Sequence, residues 1–311
     1  MKTISIVVPC FNEEGNIIPL YNEIEKLFSI DLPAYDYELL FIDNKSTDST
    51  QKILRELCAG NKKVKCIFNA RNFGSASSFV YGLCQSNGNC SILLVADFQS
   101  PIKLIPEFIK EWENGYKIVI GIKTKSKENP FMRFLRTIYY KLIKKLSENI
   151  DQIEHFDGFG LYDKSFIETL RNVNDPIPYL KNIVAELGGT RKDISYTQEK
   201  RRAGKTHISW YRLYNDAMIG LTSHTKIGLR LATILGFIFS FLSFAIALVY
   251  FFLKIFNWHS FSTGIIPLVL GVFFLGSLQL FFIGLIGEYI LSINTRVMNR
   301  PLVIEEERIN F

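Results

Sequence analysis

Five short clusters in this chain gather side chains able to hold a ligand. They are Pro9-Cys10-Phe11-Asn12-Glu13, Asp43-Asn44-Lys45-Ser46, Asn69-Ala70-Arg71-Asn72-Phe73-Gly74, Asp97-Phe98-Gln99 and Lys200-Arg201-Arg202-Ala203-Gly204-Lys205-Thr206. Each of the first four ends an apolar run. In LLVADFQSP, from Leu93 to Pro101, four apolar residues lead into Asp97, as when a buried parallel strand ends at a ligand crevice. Val95, on the same face of that run, carries no charge. The fifth cluster sets cations around a glycine. It reads as a flexible loop that closes on phosphate, or as a solvated loop.

Several chemistries are disfavoured. No GxGxxG follows the first apolar run and no GxxxxGK[ST] occurs, so dinucleotide and Walker-type phosphate sites are not indicated. The five cysteines, Cys10, Cys58, Cys66, Cys84 and Cys90, form no CxxC pair and read as buried reduced thiols. The formal charge of +6 suits an anionic membrane surface or phosphorylated ligands. No basic-aromatic array accompanies it, so nucleic acid is not an expected partner.

The elements that must position these clusters alternate. Strand-like runs cover Thr3 to Val8, Glu38 to Ile42, Val64 to Phe68, Ser91 to Ala96 and Lys117 to Ile122. Helical patterns cover Asn16 to Phe28, Ser49 to Cys58, Ser75 to Gln85 and Lys103 to Trp112, with Asp48 and Gln51 offering a capping box for the second. This order predicts right-handed crossovers and an α/β fold with a mainly parallel sheet, whose ligands gather at the C-terminal strand ends.

Farther on, Phe131 to Leu146 is basic and amphipathic, either lying on a membrane surface or showing a charged face over an ordinary core. An aromatic-rich segment, Trp210 to Thr225, then leads into two uncharged runs of twenty-three residues, Leu231 to Leu253 and Ile265 to Gly287. At about 1.5 Å per residue each reaches about 34 Å, enough to cross a hydrocarbon core of about 30 Å. The N-terminal apolar run is too short for a signal peptide. Lys226 and Arg230 before the first run, and Arg296 and Arg300 after the second, predict both termini in the cytoplasm and a short outer loop.

These residues together resemble family 2 glycosyltransferases of the polyprenyl-phosphate type, relatives of dolichol-phosphate mannose synthase and of undecaprenyl-phosphate glycosyltransferases. The likeness spans nearly the whole chain. It rests on IVVPCFNEEGNI, LLFIDNKSTDST, ARNFG, ADFQSP, FGLYDKS, the RRAGKT loop, GLTSHTKIGLRLAT and the two terminal apolar runs, in that order.

The resemblance implies a GT-A fold, a nucleotide-sugar donor, Mg²⁺ or Mn²⁺, a polyprenyl phosphate acceptor and a lipid bilayer as partners, with a homo-oligomer left open. It places Pro9, Asn12, Glu13, Asp43, Arg71 and Asp97 at the nucleotide and Asp97 with Gln99 at the metal. It places Asp97, Asp157 and Arg201 at the chemistry, and Arg133, Arg201, Arg202 and Lys205 at the acceptor phosphate. The expected organisation is a cytoplasmic GT-A head over 1–206, an interfacial segment over 207–228, a two-helix membrane region over 229–290 and a cytoplasmic tail over 291–311. The expected location is a bacterial cytoplasmic membrane.

Departures from the family pattern are specific. Its first metal-site aspartate is Val95, the aspartate after the glutamine is Ser100, and the Asp-Gly after the second strand is Asn44-Lys45. The acid before the phenylalanine is Gly158, with Asp157 one place earlier, and the loop lysine is His207. An acceptor phosphate monoester, with its second pKa about 6, is already an oxyanion at neutral pH and needs no strong base. The reading is therefore transfer of a single sugar from a nucleotide-sugar of the UDP-sugar class to undecaprenyl phosphate. The rivals are a catalytically silent membrane subunit and a processive synthase; for the second, no QxxRW follows the head.

Overall fold

A computed structural model describes residues 1–125, 153, 155–173, 175, 178–199, 227–256, 265–298 and 300–311. These form two compact units, a head that includes the last residues of the chain and a helical pair.

The head begins with β1 (Lys2–Cys10), α1 (Glu14–Lys26) extended by a π turn over Leu27–Asp31, β2 (Tyr35–Asp43), α2 (Thr50–Gly60), β3 (Val64–Asn69), α3 (Ser75–Gln85) and β4 (Cys90–Leu93). A 3₁₀ turn over Ile102–Leu104, α4 (Ile105–Glu113), β5 (Ile118–Lys125), β6 (Gly160–Asp163), α5 (Lys164–Asn172), α6 (Leu180–Leu187), β7 (Arg191–Thr197) and β8 (Glu305–Ile309) complete it. The strands make one sheet in the order β7-β5-β6-β4-β1-β2-β3-β8. β1 pairs in parallel with β2 and β4, β2 with β3, and β5 with β7. β6 and β8 run antiparallel to their neighbours.

A parallel sheet is covered on both faces, which is why the central strands are nearly continuous apolar runs. Ile4, Ile6, Val8, Leu39 and Phe41 face a core with α1, α2 and α4, while Val7, Leu40 and Ile42 face α3, α5 and α6. α3 lies so close to the sheet that a Cβ on Gly82 would meet Val7 Cγ1 at 2.6 Å and Ile42 Cγ1 at 2.9 Å. All five cysteines are free thiols, and burial pushes those of Cys58 and Cys84 up to about 11.

Two local expectations are corrected. The fourth strand ends at Leu93 rather than Ala96, so Asp97 sits in a turn beyond the ladder. The Asp48–Gln51 capping box does not form, because Gln51 Nε2 donates instead to Asp43 Oδ2 at 2.8 Å. Asp48 Oδ1 still accepts from the Thr50 amide at 3.0 Å. Three strands escaped the sequence reading: β6 is only four residues long, β7 is largely exposed, and β8 is the charged run EEERI, a poor strand former by composition.

The helical pair consists of α7 (Ile227–Phe256) and α8 (Ile265–Val297), which touch through an edge-to-face pair, Phe239 and Phe274, with centroids 5.9 Å apart. Among the described residues one stretch, Phe274–Val297, is long and apolar enough to cross a membrane by length and composition. Phe237, Phe241, Leu268 and Leu280 stand exposed on the two helices.

Candidate functional site

The candidate site lies at the C-terminal ends of β1, β2, β3 and β4, where the backbone is unusual. Asn12, Lys45 and Phe98, each just beyond one of these strands, have φ of 56°, 64° and 62°. Left-handed non-glycine residues are strained and persist only when their surroundings hold them.

The loop after β1 is stapled to the loop after β2. The Asn12 amide donates to Ser46 Oγ at 2.9 Å, and Asn12 Oδ1 accepts from the Thr47 amide at 2.7 Å, so Asn12 does not cap α1. The Glu13 amide donates to Thr50 Oγ1 at 2.9 Å, and its buried carboxylate accepts from Asn16 Nδ2 at 2.5 Å. Pro9 is buried within β1, beside Ile42. These contacts fix the end of β1 and the loops after β1 and β2 against each other.

Asp43, the last residue of β2, is fully buried. Its Oδ2 accepts from the Ser46 amide at 3.1 Å and from Gln51 Nε2, while its Oδ1 has no hydrogen-bond partner among the described residues. Burial raises its pKa, with the Ser46 and Gln51 bonds pulling the other way. Asn69, at the end of β3, likewise has a buried Oδ1 without a partner among the described residues, while its Nδ2 donates to Asn44 Oδ1 at 2.9 Å. Buried acceptors of this kind call for a donor. Sequence reasoning placed Asn69 in a ligand cluster without assigning it a role and gave Gln51 a capping role instead; the position of Asn69 at a strand's C-terminal end was the available signal.

Asn44 ties the second loop to the third. Its Oδ1 also accepts from the Phe73 amide at 3.2 Å, and its Nδ2 donates to the Gly74 carbonyl at 3.2 Å. An aspartate could not make the last bond. Arg71 is exposed, with its guanidinium 4.4 Å from the centre of the Phe73 ring.

Beyond β4, Val95, Asp97 and Gln99 are partly exposed and alternate with buried Leu94, Ala96, Phe98 and Ser100. The shared face expected for Val95 and Asp97 is therefore present although the strand has ended. Asp97 Oδ1 accepts from the Gln99 amide at 3.1 Å. The Gln99 carbonyl accepts from the Glu199 amide at 3.3 Å, which joins the segment after β7 to this turn.

Asp157 lies near the same region. Its carboxylate pairs with Lys123, on β5, at 2.6 Å. Tyr196, on β7, has its pKa raised first by burial and then by the nearby charges of Asp157 and Asp97, so both carboxylates lie within electrostatic reach of one phenol. Lys123 and Tyr196 were not singled out from sequence. The Cβ that any residue other than glycine would carry at position 158 points away from this group. It would lie 3.1 Å from Leu93 Cδ2, 3.5 Å from Phe79 Cδ2 and 3.6 Å from Leu180 Cδ2, on a backbone with φ of 106°. Arg133, Arg201, Arg202 and Lys205 lie outside the described residues, as do the basic stretch around Arg133, the RRAGKT loop and the segment from Trp210 to Thr225.

No group of three or more His, Cys, Asp or Glu side chains able to hold a metal occurs among the described residues. One partly exposed carboxylate with an amide two residues on fits a divalent ion only where a ligand's phosphate oxygens complete the shell, a mode ordinary for Mg²⁺.

The family model for glycosyl transferase family 2 matches residues 5–171. The chain is 31% identical to the putative glycosyltransferase CsbB of Bacillus subtilis, covering 98% of this chain and 91% of that one. It is 30% identical to the SfII prophage-derived bactoprenol glucosyl transferase of Shigella flexneri, over 97% and 96%. Among solved structures, glucosyl-3-phosphoglycerate synthase of Mycobacterium tuberculosis with Mn²⁺, UDP-glucose and phosphoglyceric acid is 16% identical and covers 71% of this chain and 78% of its own, with a TM-score of 0.46. The chain belongs to glycosyl transferase family 2, and it is an enzyme of that class with a GT-A α/β head.

Proposed function

We propose that this enzyme moves one sugar from a nucleotide-sugar, a UDP-sugar, to undecaprenyl phosphate at the cytoplasmic face of a bacterial membrane. The observation that carries the reading is the pair of buried acceptors at the ends of β2 and β3, Asp43 Oδ1 and Asn69 Oδ1, which have no donor among the described residues, with Asp97 in the turn beyond β4. A nucleotide's base N–H and ribose hydroxyls are donors of the missing kind. The acceptor is inferred from relatives named bactoprenol glucosyl transferase, matched over nearly their full length, a name that states their own activity.

In this reading Asp43 and Asn69 hold the nucleoside, and Pro9, Asn12 and Glu13 hold the wall on which it rests, with Arg71 at the rim. Asp97, with Gln99, would hold Mg²⁺ or Mn²⁺ against the donor diphosphate. When bound, the ion supplies Lewis-acid stabilisation of the departing diphosphate. An acceptor phosphate oxygen forms the bond to the anomeric carbon as the bond to the diphosphate breaks. Asp157, held by its ion pair with Lys123, is proposed to orient the sugar. Arg133, Arg201, Arg202 and Lys205 are proposed to meet the phosphates.

We also propose the domain plan of head over 1–206, interfacial segment over 207–228, membrane pair over 229–290 and tail over 291–311, with two crossings. Support comes from β8. β8 pairs with β3, as expected if residues 305–309 and the head share a compartment and the crossings between them are even in number, and two apolar runs are available.

The test uses membranes holding the full chain. Adding undecaprenyl phosphate and a UDP-sugar should release UDP and form a lipid-linked sugar in equal amounts. UDP release indifferent to the lipid, with every sugar donor tried, would refute the acceptor assignment.

A further inference from the structure

Residues 304–310 are held against β3, α2, α3 and the loops after β2 and β3 by a dense set of contacts. β8 lies antiparallel to β3 and brings Glu305 opposite Asn69 and Glu307 opposite Phe68. The Ile304 carbonyl accepts from the Ala70 amide at 2.9 Å, in the loop after β3. Glu306 pairs with Lys45, in the loop after β2, and Glu307 pairs with Arg55 of α2 at 2.7 Å. Tyr81 of α3 donates to Glu305. Asn310 Nδ2 donates to the carbonyls of Cys58 and Val64 at 2.7 and 2.8 Å, which locks the strand's far end.

Two of these contacts fall on the loops that directly follow Asp43 and Asn69, whose Oδ1 atoms have no partner among the described residues. Lys45 is two residues from Asp43 and holds a left-handed backbone that a lysine does not favour. Ala70 follows Asn69. Asn44 and Asn69 are themselves hydrogen-bonded, so a force on either loop reaches both acceptors.

We infer that the C-terminal strand is a positioning part of the nucleotide site. Glu306, through Lys45, and the Ile304 carbonyl, through Ala70, hold the two loops in the form that binds the nucleoside diphosphate. This rests on the donor reading above. By linkage, bound nucleotide must in turn hold the tail more firmly.

The experiment uses the full chain in lipid nanodiscs, with UDP as the probe. Glu306→Lys turns an attraction into a repulsion and is expected to weaken UDP binding about fivefold at low salt. The rate at saturating donor should be unaltered. The deficit should shrink at about 0.5 M salt, since both side chains are partly exposed. Combining it with Lys45→Glu should restore most of the affinity, which a merely unfolded tail would not allow. In the wild type, UDP should slow amide exchange across Glu305–Ile309. Unchanged UDP affinity in Glu306→Lys, no recovery in the double variant, or a lower rate at full affinity would each overturn the inference. If Glu306→Lys does not fold, wild-type exchange indifferent to UDP overturns it alone. A wild type that binds UDP, GDP and dTDP no better than a sugar alone overturns the donor reading and the tail's role with it.

Discussion

Replacing Asp43 by asparagine tests the donor site at the atom where it is most exposed to refutation. Oδ2 receives two donors, the Ser46 amide and Gln51 Nε2, so the asparagine oxygen must take that place. The amide nitrogen then occupies the position of Oδ1, the buried acceptor without a donor among the described residues. A ligand N–H that met an ionised acceptor now meets another N–H. The loss of one charge-assisted hydrogen bond, together with a buried donor left unpaired, comes to about 3 kcal/mol, or a hundredfold or more in the Kd for UDP. The free protein should unfold at nearly the same temperature, because burying an amide in place of a carboxylate offsets the new unpaired donor. Acidity supplies a second reading. Burial raises Asp43 above its ordinary 3.8. A raised folded-state pKa means that its contribution to stability is full below 3.8 and is lost as pH rises through the folded value. UDP affinity should rise through the same window, because only the ionised form can accept at both oxygens. Isothermal titration of wild type and variant with UDP, from acid to neutral pH, measures both effects. An asparagine variant that binds UDP within about threefold of wild type would refute the role given to Oδ1.

Titrating Mn²⁺ with and without UDP should show weak binding alone and much stronger binding with the nucleotide, since Asp97 and Gln99 supply at most two ligands of the six such ions prefer. Asp97→Ala should abolish the nucleotide-dependent part and sugar transfer together; full transfer by this variant would remove Asp97 from the chemistry. Gly158→Asp, which restores the family acid in sequence, should lower stability by about 3 kcal/mol or more and restore no activity. It puts a carboxylate against Leu93, Phe79 and Leu180 on a backbone at φ 106°, and a denaturant midpoint equal to wild type would contradict this. A cysteine at Ser260 should react with an impermeant thiol reagent in intact cells; labelling only after lysis would overturn the two-crossing plan.

Much of the head was legible along the chain because its signals are local. Buried parallel strands must be apolar on both faces, so β1 to β5 stood out as runs, and ligand groups follow such strands at their C-terminal ends. Asp43 and Asp97 are therefore visible as candidates in the sequence alone. The alternation of strand and helix led to the mainly parallel sheet, and the ordered motifs led to the family.

What the tertiary structure decided depends on which segment lies opposite. Gln51 has the right spacing to close a capping box, yet it serves Asp43, because the end of β2 comes within reach of the start of α2. Asn12 has the character of a helix cap and instead binds Thr47, thirty-five residues on. The pairing of Lys45 with Glu306 spans 261 residues, and EEERI becomes a strand because an open edge of β3 and the cations of α2 and the β2 loop await it. The direction of the Cβ at position 158 decides that an acid there would enter an apolar core, and that Asp157, one residue earlier, is the one that can reach Lys123. Periodicity tells which face of an element is buried. Only the packed chain tells which partner each polar atom finds there.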